Sequence, residues 1–488
     1  MKNLSLRLAF FLSLMPFLAW SQSEEPQKWT LQQLIDYALE ENIQVKLAEL
    51  DVQTSEVARS QAFWNRVPNL NANANQNYAF GRSIDPFTNQ FTNDPVRSNN
   101  FSLSSNMTLF AGFQLHNAHM QSMADLEAAR YGLQNTRNTV SLNIASFYLT
   151  ILFNQELLNA AQLRLASTRI QHEQVSKQVR LGALPQANLL QLNQQLATDE
   201  LEVTRAENTL ALSQLNLLQA LQMPADTELV LDIPAINEPT INFTLPTVEQ
   251  VFEVAETTQP QILQAEKNVK GRKLGVSIAR GAYFPTLSVS GNMFTQYSSI
   301  GTTRTFTPYD TPLLLDQGLP LGASSPSQTG TAIPVFPFEY GQTQVSSISF
   351  ADQIDLNRRE NLSFTLSIPI FTRFQSRNNV SNAKINLERA ELNQKNVKNQ
   401  LRQTVEQAYY DVVAAAKTFD AVQKQVIALE ESNRNIEQRF QLGAANVVEY
   451  NQTRNDFNRA QSDLIRAKYD YIFKLKILDF YQGKPLEL

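Results

Sequence analysis

Three histidines, His116, His119 and His172, are the only imidazoles in the chain. On a helix, His116 and His119 fall on one face, three residues apart, a spacing that can hold a metal ion. No third ligand stands beside them, and two solvated histidines are the commoner source of such a pair. The chain has no cysteine, which excludes thiolate metal sites, cysteine nucleophiles, disulfides and an N-terminal lipidated cysteine. Neither a nucleophile elbow, nor a phosphate loop, nor paired carboxylates at a turn can be found. These residue types therefore predict no metal, no cofactor and no enzyme. Net charge is -5 with 18% charged residues and no basic patch, so nucleic acid is not an expected partner.

What the chain offers instead of reactive groups is a repeated scaffold. Lys2 and Arg7 followed by the apolar run Leu8 to Trp20 and by Ala19-Trp20-Ser21 predict a cleaved signal peptide over residues 1–21. The run is too short for a bilayer-spanning helix, which needs ~20 apolar residues. Two copies of one pattern follow, at 22–223 and 247–488, joined by a proline-containing linker at 224–246. Thr30 to Pro68 aligns with Thr247 to Pro285 at an offset of 285 − 68 = 217. Phe101 to about Leu221 aligns with Leu362 to about Gln482 at 362 − 101 = 261. The second copy thus carries 261 − 217 = 44 extra residues, placed in a loop at about 298–360.

Each copy predicts a helix, two strands, a very long helix, a tight turn and a return helix. The strands fall at about 69–80, 100–110, 286–297 and 361–371. In one of them Phe101, Leu103, Met107 and Leu109 alternate with Ser102, Ser104, Asn106 and Thr108. In another, Leu362, Phe364, Leu366 and Ile368 alternate with Ser363, Thr365 and Ser367. Period two puts apolar residues on one face and small polar ones on the other, over the ~10-residue length of a membrane-crossing barrel strand. A wet-faced soluble sheet gives the same alternation. The leader and the uncharged polar face favour the membrane reading. Four strands cannot close a barrel, since the smallest have ~8, and an open edge is forbidden in lipid, so several chains must share one.

The long helices are expected at about 113–181 and 374–442, each roughly 100 Å at ~1.5 Å per residue. First helices at 30–64 and 248–281 and return helices at 186–222 and 446–482 are each about half as long. Leu189, Leu196, Val203, Leu210 and Leu217 recur every seven residues in one return helix; Tyr450, Phe457, Leu464, Tyr471 and Leu478 do so in the other. Heptads in the same register in both copies predict coiled-coil hairpins. The fold class expected is mainly α with membrane β.

The order of these elements, with Ser367-Ile368-Pro369-Ile370-Phe371 closing a strand and Arg439-Phe440-Gln441-Leu442-Gly443 entering a turn, resembles the TolC-like outer membrane efflux family. The resemblance covers nearly the whole mature chain. It implies a homotrimer with a twelve-stranded barrel in outer-membrane lipid and a periplasmic α-barrel tunnel. It further implies a periplasmic adaptor (membrane fusion protein) and an inner-membrane transporter as partners in tripartite efflux or type I secretion. Leu181, Gly182 and Ala183, with Arg439, Leu442, Gly443 and Ala444, are then the adaptor-contacting tips. Glu449, six residues past Gly443, matches a family acid of the gate constriction. A second family acid falls on Gln452, the copy-one equivalent of Glu449 is Asn188, and a family arginine is replaced by Ala445, so a simpler gate is expected. The competing reading is a periplasmic coiled-coil adaptor or structural protein without a channel.

Overall fold

The computed structural model describes residues 28–85, 87, 89–232, 245–308 and 341–484. The leader, residues 1–21, lies outside them, as do residues 233–244 of the linker and 309–340 of the loop at about 298–360. In chain order the elements begin β1 (Lys28–Trp29), α1 (Leu31–Glu41), α2 (Ile43–Trp64), β2 (Asn71–Ala79), β3 (Ser83–Ile84), β4 (Phe91–Thr92), β5 (Val96–Ala111), α3 (Gln114–Arg180), α4 (Gln186–Leu221) and β6 (Val230–Leu231). They continue α5 (Val248–Thr258), α6 (Pro260–Gly281), β7 (Thr286–Ser298), β8 (Thr302–Pro308), β9 (Gly341–Ser347), α7 (Phe350–Leu356), β10 (Arg359–Ser367), α8 (Gln375–Gln441) and α9 (Val447–Tyr481).

The chain divides into two compact units. The helical unit holds residues 127–267 and 392–484, with the N-terminal segment to Thr54. Its first core packs Leu34, Ala38, Ile144, Tyr148, Leu152, Leu217 and Leu221, which bring α1, α3 and α4 together. Its second packs Phe252, Val405, Val412, Phe419, Tyr471 and Leu478, the equivalent set on α5, α8 and α9. β1 pairs in parallel with β6, so residues after Leu221 return to the start of the chain. The Tyr148 hydroxyl donates to the Asp232 carbonyl there, and burial pushes its pKa up to about 12.

Each first helix is two helices, contrary to the single helices expected at 30–64 and 248–281. The breaks fall at Asn42 (ψ 125°) and Gln259 (ψ 125°), again 259 − 42 = 217 apart. Pro260 explains the second, because proline forces the residue before it out of the helical region and opens the next helix well. In copy one the Asn42 side chain accepts from the Gln44 N–H at 2.9 Å and restarts the helix itself. Thr30 and Thr247 both close capping boxes, with Gln33 and Gln250.

The other unit, Ser55–Leu126 and Asn268–Glu391, carries the sheet. The strand order is β10-β7-β5-β2, every pair antiparallel. Register fixes the faces. Phe101, Leu103 and Met107 share one with Thr295, Met293 and Val289, while Ser102, Ser104 and Asn106 share the other with Phe294, Asn292 and Ser290. β10 ends at Ser367, two residues before Pro369, which has no N–H for the ladder. A bulge between Thr108 and Phe110 bends β5 as it leaves the sheet. At the corner into α3, Gly112 is left-handed (φ +56°), and a Cβ there would lie 2.4 Å from the Gly281 carbonyl. Only glycine fits that approach.

The loop at about 298–360 is more ordered at its described ends than the irregular loop expected. β8 and β9 form a hairpin and α7 follows it. β7 runs past the start of β10, where Arg359 faces Phe294, and this leaves residues 295–298 with an open edge. α7 fills it. Gln353, 1% exposed, accepts from the Ser298 N–H at 2.9 Å and donates to the Ser298 carbonyl at 3.0 Å. Asn357 donates to the Gln296 carbonyl at 2.8 Å, and Thr295 to the Ile354 carbonyl at 2.6 Å. Phe350 packs its ring on Tyr297 and Phe101, the apolar side of the sheet rather than the polar one.

Candidate functional site

Both hairpin turns end their long helix with a left-handed glycine, Gly182 at φ +74° and Gly443 at φ +72°. In each, the glycine N–H and the next N–H reach back to the last turn. Gly182 donates to the Val179 carbonyl and Ala183 to that of Gln178; Gly443 donates to Phe440 and Ala444 to Arg439. That paired pattern is the Schellman cap, which satisfies carbonyls the helix end would leave bare. It leaves the preceding leucines outward: Leu181 and Leu442 are each 84% exposed.

The two turns differ in how the return helix starts. Pro185 precedes α4 without a side-chain cap, whereas Asn446 caps α9 by accepting from the Glu449 N–H at 2.8 Å. Arg439 straddles the second turn, donating to the Ala444 carbonyl at 3.3 Å and pairing with the Glu449 carboxylate at 3.5 Å. Glu449 is thus neither a free carboxylate nor a buried one; both side chains are about half exposed. Gln452 is exposed one turn on, and Asn188 holds the equivalent place in α4 with its N–H on the Pro185 carbonyl. Among the described residues no cluster of metal-ligating side chains forms. His119 sits against the Phe63 ring, and its pKa is lowered by burial first and then by Arg66, Arg59 and His116.

Deeper in the helical unit is a polar network that heptad counting passes over. Thr168 of α3, Asp199 of α4 and Arg454 of α9 are all at least nine-tenths buried. The Thr168 hydroxyl donates to Asp199 Oδ2 at 2.5 Å, and Gln195 to Oδ1 at 3.0 Å. Arg454 donates to Thr168 and, at 2.5 Å, to Gln171 Oε1, with its guanidinium 3.9 Å from Asp199. Gln171 in turn donates to the Tyr450 hydroxyl at 2.5 Å, and burial raises the Tyr450 pKa. The Tyr450 ring stacks on Phe440, 4.8 Å away and 12° from parallel, one turn from the tip. Hairpin two is therefore tied to hairpin one by buried charges. A second tie follows, the Tyr469 hydroxyl donating to Glu156 at 3.0 Å, with burial and then that carboxylate raising its pKa.

The signal for this network was available. Asp199 occupies a core position of the heptad that runs through Leu192 and Ala206. Across the copies, at an offset of 261, Thr168 faces Leu429, Gln171 faces Ser432, Asn193 faces Arg454 and Asp199 faces Ala460. Four departures from the repeat thus coincide at one place.

Among the described residues two helical hairpins end in exposed tips, four of the strands form one antiparallel sheet, and no helix is long and apolar enough to cross a membrane. The outer membrane efflux protein family matches residues 34–222 and 341–483, and the chain belongs to it. Its fold is that of solved channels. The CmeC outer membrane channel of Campylobacter jejuni is 17% identical, with 100% of this chain and 95% of that chain covered at a TM-score of 0.67. VceC of Vibrio cholerae is 15% identical over 94% and 97% at 0.64, and the open state of the Neisseria gonorrhoeae MtrE channel 18% over 94% and 89% at 0.64. No curated protein matches the sequence. The chain is thus an outer-membrane exit duct for efflux, with its helical part in the periplasm.

Proposed function

We propose that three copies close one twelve-stranded barrel above a helical tunnel, and that an adaptor carrying substrate from an inner-membrane pump seats on the tips. The duct performs no chemistry of its own. The observation that carries this reading is the four-stranded sheet with an open edge at each end, which lipid does not tolerate unless another copy pairs with it. The two repeats, 22–223 and 247–488, then each supply one hairpin and two strands. Purified protein in a planar bilayer should conduct, and native mass spectrometry should give the trimer mass. A silent bilayer with a monomer would leave the adaptor or structural reading instead.

The gate is assigned to Glu449, with Gln452 and Asn188 at the flanking constriction positions. Glu449 lies six residues past Gly443, about 9 Å along the helix. Three copies near one axis would favour cations and bind divalent ions, as charged rings do in other pores. Arg439 stands beside it and reduces the net charge at the mouth. Glu449→Ala should therefore weaken cation selectivity and divalent block, while Arg439→Ala should strengthen both. Single-channel recordings with and without a divalent cation read the two together. If neither variant moves selectivity or block, these residues do not line the constriction.

A further inference from the structure

The polar face of the four-stranded sheet carries a single charge. Arg97, Arg359 and Glu360 are the only charged residues in β2, β5, β7 and β10. Two of them lie on the apolar face. Arg97 shares that face with Phe101, and its guanidinium lies 5.8 Å from the centre of the Tyr297 ring. Glu360 shares it with Leu362 and pairs with Arg358 at 3.3 Å. Arg359 belongs to the polar face, with Asn361, Ser363 and Thr365. It is exposed, and among the described residues it has no ion-pair partner.

Register places a second exception directly opposite. Arg359 faces Phe294 of β7, the one aromatic side chain on the polar face of this sheet. Phe294 faces Ser102 of β5, and Ser102 faces Asn73 of β2. One level of the sheet thus presents an amide, a hydroxyl, a ring and a guanidinium side by side. The levels on either side of it hold only asparagine, serine and glutamine. Packing does not explain the ring, since Phe101, Tyr297 and Phe350 meet on the opposite face and no described ring meets Phe294. The level lies 294 − 286 = 8 residues along β7, about 27 Å at ~3.4 Å per residue, at the end of the sheet remote from the corner into α8. Asn357, two residues before Arg359, donates to the carbonyl of Gln296, two residues past Phe294, at 2.8 Å. The base of the enlarged loop therefore pins both strands where the pair stands.

Resting on the shared barrel proposed above, whose lumen this polar face would line, we infer that Arg359 and Phe294 form a binding shelf near the outer mouth for anionic solutes with an aromatic portion. The guanidinium offers a planar fork of donors that matches a carboxylate, sulfonate or phosphate. The Phe294 ring offers a face for an aromatic group to stack on. Asn73 and Ser102, at the same level, can hydrogen-bond the remaining polar atoms. Neutral walls leave the guanidiniums of the three copies as the charges that set the field there. That field reaches about 8 Å at physiological ionic strength and about 30 Å at 0.01 M. It concentrates anions at the exit, and contacts of this strength still let them leave. The outer end of the duct is thus opposite in sign to Glu449 at the tip.

Two measurements on the full-length channel test the shelf. In a planar bilayer, 1-naphthalenesulfonate added on the barrel side should block current, and more so at low salt. Arg359→Gln should weaken that block about tenfold, as expected for losing a charge-assisted contact, and Phe294→Leu should weaken it by less. Neutral 1-naphthalenemethanol should not block. The second measurement is local and does not depend on the state of the tip. Phe294→Trp places a fluorophore on the shelf, and emission of the native tryptophans, recorded without it, is subtracted. Iodide should quench this tryptophan strongly. Adding Arg359→Gln should lower iodide quenching while leaving quenching by neutral acrylamide unchanged. Arg359 is exposed, so its replacement should leave the trimer mass as it is. Block and iodide quenching that are the same with and without Arg359 overturn the shelf. A wild-type protein that never conducts and has a monomer mass overturns the shared barrel instead.

Discussion

Arg454→Ala should release the second hairpin from the first. Removing one partner of a buried ion pair typically costs about 3–5 kcal/mol, because the other charge stays buried without it. Here Asp199 would keep only Thr168 and Gln195, in a place that is 2% exposed. Native-state hydrogen exchange reads this locally. Amides of α9 near Arg454 should lose protection by that amount, while those near Leu478 in the second core keep theirs. Replacing Arg454, Asp199 and Thr168 together by Leu, Leu and Val should restore most of it, since apolar substitution of a whole buried network is often neutral or better. The Arg454→Ala channel should also conduct more, because the tie lies 454 − 443 = 11 residues from the tip glycine. Protection lost by less than ~1 kcal/mol would show that the network holds nothing.

Leu181→Asp combined with Leu442→Asp should abolish export. Each leucine is 84% exposed, and exposed substitutions usually change stability by within about 0.5 kcal/mol, so folding and trimer content should stay as they are. The loss then belongs to the surface an adaptor would touch, where each aspartate sets a desolvated charge in an apolar contact. Efflux by cells carrying the variant should fall to the level of cells without the channel, with normal outer-membrane amounts of protein. Normal export would place the adaptor elsewhere.

The elements that were legible in the sequence are those with long unbroken periodicity. α3 and α8 end within a residue of the expected limits, since a tip glycine bounds each on one side and an alternating strand on the other. β5 begins at Val96, earlier than expected, because its first residues follow no apolar pattern and are held by pairing, Arg97 with Tyr78 of β2 and Asn99 with Tyr297 of β7. α7 was hidden in the loop at about 298–360, which was placed by the 44 extra residues of the second copy. Ser349 capping the Asp352 N–H was its local mark, but a seven-residue helix depends on Gln353 finding β7. The tip glycines were plain from their place in the repeat. The Arg439–Glu449 pair across the turn was less so, ten residues apart and on two helices. Polar groups in a coiled coil are read as its wet face, and only side-chain contacts reveal that Asp199 and Arg454 face inward.

The cover that α7 gives to residues 295–298 of β7 bears on the life of the chain before it reaches a bilayer. A newly exported subunit crosses an aqueous compartment with sheet edges bare, and any bare edge can recruit a stranger's strand. By occupying the overhang, the helix leaves two nine-residue borders, β2 and β10, as the outer strands of the main sheet. Both are lined on one side by Asn, Ser and Thr and can satisfy each other around a closed ring. An enlarged surface loop can then vary in length and sequence without giving stray subunits a foothold, because its base is already sealed against the strand from which it springs.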